Sequence, residues 1–92
     1  MTDYTTMFDL SGRAAIVTGG AGILGAHFCE GLAAFGAHVA VVDKDRKKAE
    51  AVAAKLPGKP LALAVDITDE AQVEKMVAQV QKAYGRLDIL HN

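Results

Sequence analysis

The fold is decided by the stretch TGGAGILG, Thr18–Gly25, which directly follows the apolar run Ala14–Val17. Because this run lacks the polar alternation of a half-exposed strand, it is predicted as a buried, central β-strand. The residues after the glycines repeat an apolar side chain every four positions, at Leu24, Phe28 and Leu32, as an amphipathic helix does. The sequence therefore predicts a strand, a glycine-rich turn and a helix, in that order.

The rest of the chain alternates in the same way between short apolar runs and stretches of helical periodicity. Further strands are predicted at 39–42, at 61–65 and from 87 onward, and helices at 23–35, 45–56 and from Thr68 or Asp69 to Tyr84. Such alternation indicates βαβ units around a parallel sheet. Right-handed crossovers then give the strand order 3-2-1-4 with helices on both faces, which is a partial, doubly wound α/β fold of the Rossmann type.

Composition indicates one ordinary globular domain, residues 1–92, with 51% hydrophobic residues and a formal net charge of -1. A basic excess is absent, which argues against nucleic acid or an anionic membrane as a partner. No apolar run approaches the roughly 20 residues of a spanning helix, and the single Cys29 has no Cys or His at zinc spacing. We therefore expect a cytoplasmic protein without a metal site, in which Cys29 serves helix packing.

The glycine stretch carries the spacing Gly20-x-Gly22-x-x-Gly25, and the acid Asp43 follows about 20 residues later at the end of the second strand. In this context the pattern is the dinucleotide-binding fingerprint, because glycines allow a sharp turn and a close approach of pyrophosphate to the backbone. Free N–H groups at the helix start then meet the phosphate charge. Ligands in such sheets bind at the carboxyl ends of the strands, where Asp66 and His91-Asn92 are also expected.

The Asp43 carboxylate is expected to accept hydrogen bonds from the adenosine ribose hydroxyls and to repel a 2′-phosphate, which favours NAD over NADP. Two alternatives stay open: Asp43 could only begin a turn, and the basic cluster of Lys44 and residues 46–48 could recruit a 2′-phosphate instead of forming a solvated helix face. Asp66 could accept from the adenine amino group, with Ile67 packed on the ring, or could cap the following helix.

From Phe8 to Asn92 the sequence resembles the short-chain dehydrogenase/reductase family. The likeness rests on the lead-in FDLSGR at 8–13, the glycine loop, the pair Asp66-Ile67 and the segment LDILHN at 87–92, which resembles the start of the family's Asn-Asn-Ala-Gly motif. The residues expected to bind the cofactor are Gly19, Gly22, Ile23, Leu24, Gly25, Asp43, Asp66, Ile67 and Asn92.

The resemblance has one departure inside the loop, since the single-domain branch of the family has glycine where this chain has Ile23. The spacing Gly19-x-x-Gly22-x-x-Gly25 that results is typical of the extended branch, which acts on nucleotide sugars. The lead-in and the helix 70–84 running into Gly85–Asp88 look like the single-domain branch, which we favour.

The family's catalytic serine and its Tyr-x-x-x-Lys motif would lie beyond Asn92, and neither Tyr4 nor Tyr84 is followed by lysine four positions on. No catalytic residue is therefore assigned in this chain. The resemblance implies the NAD-binding half of a homo-oligomeric enzyme that transfers hydride between the nicotinamide and an alcohol or ketone. The alternatives are a stand-alone, non-catalytic nucleotide-binding module and an assembly fragment that pairs through an exposed fourth strand.

Overall fold

The structure is a computed structural model that describes residues 9–91. Its elements alternate strictly between strand and helix. They are β1 Ala14–Thr18, α1 Ile23–Ala34, β2 His38–Asp43, α2 Arg46–Ala53, β3 Leu61–Ala64, α3 Glu70–Tyr84 and β4 Ile89–His91. The strands form one parallel sheet in the order β3-β2-β1-β4, which confirms the predicted topology.

The core lies on both faces of this sheet. On one face α1 and α2 cover alternate residues of β1 and β2, with Val17 and Val41 packed against Cys29 of α1. On the other face α3 covers the remaining residues, with Ile16 and Val42 packed against Val80. Strand β1 is central, so its residues Ala14–Val17 are fully buried. Helices therefore lie on both faces, as predicted, and Cys29 has the packing position expected of it.

The two outer strands are shorter than the sequence predicted. β3 ends at Ala64, one residue early, although Val65 is buried and its amide donates to the Asp43 carbonyl oxygen at 3.0 Å. β4 begins at Ile89 and not at Leu87, and its Leu90 is 58% exposed. In the described part of the sheet β4 pairs on one side only, with β1, which leaves its outer edge without a neighbouring strand.

The helix ends follow from local side-chain chemistry. Asp69 caps α3 by accepting from the amides of Ala71 and Gln72, which decides between the two predicted caps, Thr68 and Asp69. Gly85 ends the same helix at φ 77°, a left-handed conformation that favours glycine. Within residues 9–91, no helix combines the length and the apolar character needed to cross a bilayer.

A carboxylate joins the amino ends of β1 and β4. Asp88 accepts a hydrogen bond from the Ala14 amide at 2.9 Å, and its own amide donates to the Ala14 carbonyl oxygen, also at 2.9 Å. The Arg86 guanidinium donates to both Asp88 carboxylate oxygens at 2.7 Å and is the main cause of the lowered pKa of Asp88. No local sequence pattern indicates this arrangement, because Asp88 and Ala14 are far apart in the chain.

Candidate nucleotide-binding site

Two glycines of the loop, Gly20 and Gly25, lie where no larger residue fits, and a third has a backbone conformation that favours glycine. Gly19 has φ 66°, in the left-handed region. A Cβ at Gly20 would lie 2.9 Å from the carbonyl oxygen of Val17, and a Cβ at Gly25 would lie 2.2 Å from the carbonyl oxygen of Gly19. These glycines let α1 begin directly against the end of β1, as the sequence predicted for a phosphate-binding turn.

The start of α1 carries no side-chain cap. Gly22 is the N-cap residue, and the first turn of the helix has no acidic side chain. Because the first amides of any α-helix lack an acceptor within the helix, the donors of Ile23, Leu24 and Gly25 are directed toward whatever lies in front of the helix. Their position at the end of β1 suits an anionic group, since the helix dipole also favours negative charge there.

Asp43 ends β2 beside this loop and is half-buried. One carboxylate oxygen accepts from the Asp45 amide at 3.0 Å, and the other accepts from the Ala21 amide of the loop at 3.3 Å. Next to this contact, the Gly20 amide donates to the carbonyl oxygen of Val42 at 2.9 Å. The loop is thus hydrogen-bonded to the end of β2 at two successive residues.

A crevice of 220 Å³ opens at the carboxyl ends of the three strands β1, β2 and β3. It is lined by Gly19, Val42, Asp43, Lys44, Val65 and Ile67. Three of these residues, Gly19, Asp43 and Ile67, were predicted from the sequence as cofactor contacts, and the fold brings them together. Lys44 was considered only as part of a basic cluster, and Val65 was missed, although it directly adjoins Asp66 in the sequence, which is the signal that could have found it.

Asp66 lies beside this crevice, but its carboxylate is engaged locally. It accepts from the Thr68 amide at 3.0 Å and from the Thr68 hydroxyl at 2.6 Å. These hydrogen bonds, together with a weaker attraction to Lys44, lower the pKa of Asp66. The carboxylate does not cap α3, which Asp69 does, and contact of Asp66 with an adenine stays a prediction.

The loop and its surroundings expose apolar side chains that a folded domain usually covers. Ile23 is 84% exposed and Leu24 is 75% exposed, while Ile67 is 52% exposed across the crevice. Ile23 and Leu24 belong to the glycine loop, and their contact with a cofactor stays a prediction.

The fourth strand contributes His91 to the same end of the sheet. Its ring lies against Phe28 of α1, with ring centroids 4.0 Å apart, and its carbonyl oxygen accepts from the Thr18 hydroxyl at 3.2 Å. The Nδ1 atom of His91 is buried and has no hydrogen-bond partner among the described residues. Asn92, also predicted as a cofactor contact, lies outside residues 9–91.

The described part of the chain brings together no group of three His, Cys, Asp or Glu side chains that could hold a metal ion. The arrangement at the carboxyl ends of the strands instead offers backbone donors, one carboxylate and apolar walls. Those features fit the adenosine and diphosphate parts of a dinucleotide: a carboxylate for ribose hydroxyls, amides for phosphate, and Val65 and Ile67 for a flat ring.

Residues 13–92 match the short chain dehydrogenase family. The chain therefore belongs to that family, as the sequence resemblance predicted.

Curated relatives agree with this assignment. The chain is 37% identical over 83 residues to a sorbitol dehydrogenase of Cereibacter sphaeroides, covering 90% of this chain and 32% of the relative. It is 36% identical over 85 residues to an NAD-dependent glycerol dehydrogenase of Listeria innocua, covering 92% of this chain and 34% of the relative. The chain thus spans about a third of the length of these relatives.

Solved structures agree as well. A 3-ketoacyl-(acyl-carrier-protein) reductase of Brucella melitensis, solved in complex with NADH, superposes with a TM-score of 0.85 at 36% sequence identity. The superposition covers 89% of this chain and 34% of the reductase. The fold of the described residues is accordingly that of the family's Rossmann-type nucleotide-binding region.

Proposed function

We propose that this chain binds NAD and forms the cofactor-binding part of a dehydrogenase that interconverts an alcohol and a ketone. The observation that carries the proposal is the shared crevice of Gly19, Asp43 and Ile67 in front of the uncapped start of α1. Each of these three residues suits one part of the dinucleotide.

The residues have distinct roles in holding the cofactor. The amides at the start of α1 bind the diphosphate, because they present donors and the positive end of the helix dipole to its charge. Asp43 accepts from the adenosine ribose hydroxyls, while Val65 and Ile67 pack against the adenine ring. Ile23 and Leu24 cover the loop side of the bound molecule. When bound, the nicotinamide supplies hydride transfer, and the protein supplies binding and orientation.

Two contacts favour NAD over NADP. The Asp43 carboxylate is fixed by amides on both of its oxygens, so it does not turn away from the ribose to admit a 2′-phosphate. The names of the two NAD-linked relatives, the glycerol dehydrogenase and the NADH-bound reductase, support the same preference.

The reaction we propose is oxidation of a hydroxyl-bearing small molecule or reduction of the corresponding ketone. Sorbitol and glycerol dehydrogenases among the relatives favour a polyol as the alcohol. Tyrosine, lysine and serine residues that would carry the proton transfer in this family are not assigned in this chain, so the proposal for the chain itself concerns cofactor binding.

Calorimetric titration of the chain with NAD, NADP and ADP-ribose tests the binding proposal. We expect ADP-ribose and NAD to bind, and NADP to bind at least about tenfold more weakly, which corresponds to about 1.4 kcal/mol. The variant Asp43→Ser is expected to reduce this preference, whereas Glu50→Gln, an exposed acid on α2, is expected to keep it. Absence of binding, or equal affinity for NAD and NADP, would contradict the proposal.

The reaction is tested by following NADH formation from polyols with the protein expressed from its complete reading frame. Formation of NADH supports the dehydrogenase. Binding of NAD without NADH formation from any alcohol would favour the alternative of a nucleotide-binding module.

A further inference from the structure

The Asp43 carboxylate contacts two parts of the chain besides the space where a ribose would lie. Its first oxygen accepts from the Asp45 amide at the start of α2, and its second accepts from the Ala21 amide in the middle of the glycine loop. We propose that Asp43 is a positioning residue for the glycine loop, which it holds in the shape that receives the diphosphate, in addition to any contact with the ribose. This inference rests on the proposed nucleotide-binding function.

The first residue of the loop makes few contacts of its own. Gly19 is exposed, and the position where its Cβ would be has no atom within 4 Å. Glycine also has the largest conformational freedom of any residue to lose on ordering. Within the loop, the Gly22 amide donates to the Gly19 carbonyl oxygen at 3.1 Å, which shapes the turn without attaching it to the sheet.

Attachment to the sheet comes from β2. The Gly20 amide donates to the Val42 carbonyl oxygen, and the next amide, that of Ala21, donates to the Asp43 carboxylate. The first of these bonds joins two backbone groups and survives any side-chain substitution at position 43. The second depends entirely on the Asp43 side chain, so replacing Asp43 removes one of two adjacent attachments.

A single carboxylate can perform both tasks at once. An ionised carboxylate has about four lone-pair sites for hydrogen bonds. Two of them are used by the Asp45 and Ala21 amides, which leaves acceptor capacity on both oxygens for ribose hydroxyls. Asp43 therefore links the ribose end of the crevice with the diphosphate end, and a substitution there is expected to weaken both.

A nucleotide without ribose hydroxyls separates the two roles. ADP and 2′,3′-dideoxy-ADP carry the same adenine and diphosphate, but only ADP can donate from its ribose to Asp43. If Asp43 acted through the ribose alone, Asp43→Ala would weaken the binding of ADP and leave the binding of dideoxy-ADP unchanged. If Asp43 also positions the loop, Asp43→Ala weakens the binding of dideoxy-ADP as well, by roughly three- to tenfold. This is the range expected for the loss of one hydrogen bond.

The matched control is Glu50→Ala, which removes an acid from the exposed face of α2 and is expected to change neither affinity. Asp43→Asn provides a second test, because its side-chain amide oxygen can still accept a hydrogen bond from the Ala21 amide. We expect its affinity for dideoxy-ADP to lie between those of the wild type and Asp43→Ala. Equal affinity of wild type and Asp43→Ala for dideoxy-ADP would overturn the inference.

Amide hydrogen exchange at Ala21, measured by NMR without any ligand, tests the tether directly. We expect exchange in Asp43→Ala to be at least about tenfold faster at Ala21, while buried amides of β1 keep their protection. Unchanged exchange at Ala21 would also overturn the inference. If neither nucleotide binds the wild type, the proposed function fails, and the exchange measurement still decides whether Asp43 holds the loop.

Discussion

Replacing Gly25 with alanine places a methyl group where the structure has no space for it. The new Cβ would lie 2.2 Å from the Gly19 carbonyl oxygen and 2.8 Å from the Gly20 Cα, whereas ordinary contact begins at 3.4 Å. Both neighbours are backbone atoms and cannot swing away as the end of a side chain does. Either the loop or the start of α1 must therefore move by more than an ångström.

The expected loss of stability follows from this overlap. Overpacking of this kind costs about 1–3 kcal/mol, and the helix preference of alanine over glycine returns at most about 1 kcal/mol. For a domain of this size, each kcal/mol corresponds to a change of roughly 4–8 °C in Tm. We expect Gly25→Ala to lower the free energy of unfolding, and also to abolish nucleotide binding, since the displaced atoms belong to the loop.

Gly31→Ala is the matched control, because it makes the same substitution in the same helix. A Cβ at Gly31 would have no neighbour within 4 Å, so only the helix preference remains and stability should rise by about 0.5–1 kcal/mol. Urea denaturation followed by circular dichroism measures both variants. Equal stability of Gly25→Ala and Gly31→Ala would show that the loop accommodates the methyl group without cost.

Three further predictions concern titratable side chains. Tyr84→Phe removes the hydroxyl that donates to the Lys59 carbonyl oxygen and also lies 3.3 Å from that of Val39, at a cost of about 1–3 kcal/mol in urea denaturation. Burial raises the pKa of Tyr84 to about 12, so the stability contributed by its neutral hydroxyl is complete below pH 10 and is lost as the pH rises through 12. Tyr84→Phe should lack this alkaline loss of stability. Burial also raises the pKa of the Cys29 thiol to about 11, and we expect a disulfide reagent to modify Cys29 only as fast as the domain opens; rapid modification of the native protein would contradict this. The hydrogen bond from Arg86 lowers the pKa of Asp88. The stability contributed by the Asp88 carboxylate is therefore present above its pKa in the unfolded chain and is lost as the pH falls through its pKa in the folded protein. Asp88→Asn should lose less stability on acidification than the wild type, and an equal loss would argue against this role.

The sequence predicted the central part of the fold well because its signals are local. The uninterrupted apolar run of β1, the glycine turn and the four-residue repeat of α1 each require only neighbouring residues to be recognised. The alternation of strands and helices then determined the topology through the handedness of the crossovers. The glycine spacing and Asp43 located the crevice for the same reason, since both adjoin a strand end.

Contacts between distant residues could not be predicted in this way. The bond between Asp88 and the Ala14 amide depends on how the ends of two strands meet, and no local pattern indicates it. The Asp43 contact with Ala21 depends on where the loop lies relative to β2. β3 was predicted to end one residue too late and β4 to begin two residues too early. The length of an outer strand depends on pairing with its neighbour and not on its own apolar run.

The Asp88 contact lies at the amino ends of the strands, whereas the crevice lies at their carboxyl ends. The five residues of β1 separate them by about 16 Å at the usual rise per residue. Substitutions that far apart generally have additive effects on stability. The sheet therefore offers protein engineers two independent regions: improvements near Ala14 and Asp88 can offset the stability lost when crevice residues such as Asp43 are redesigned.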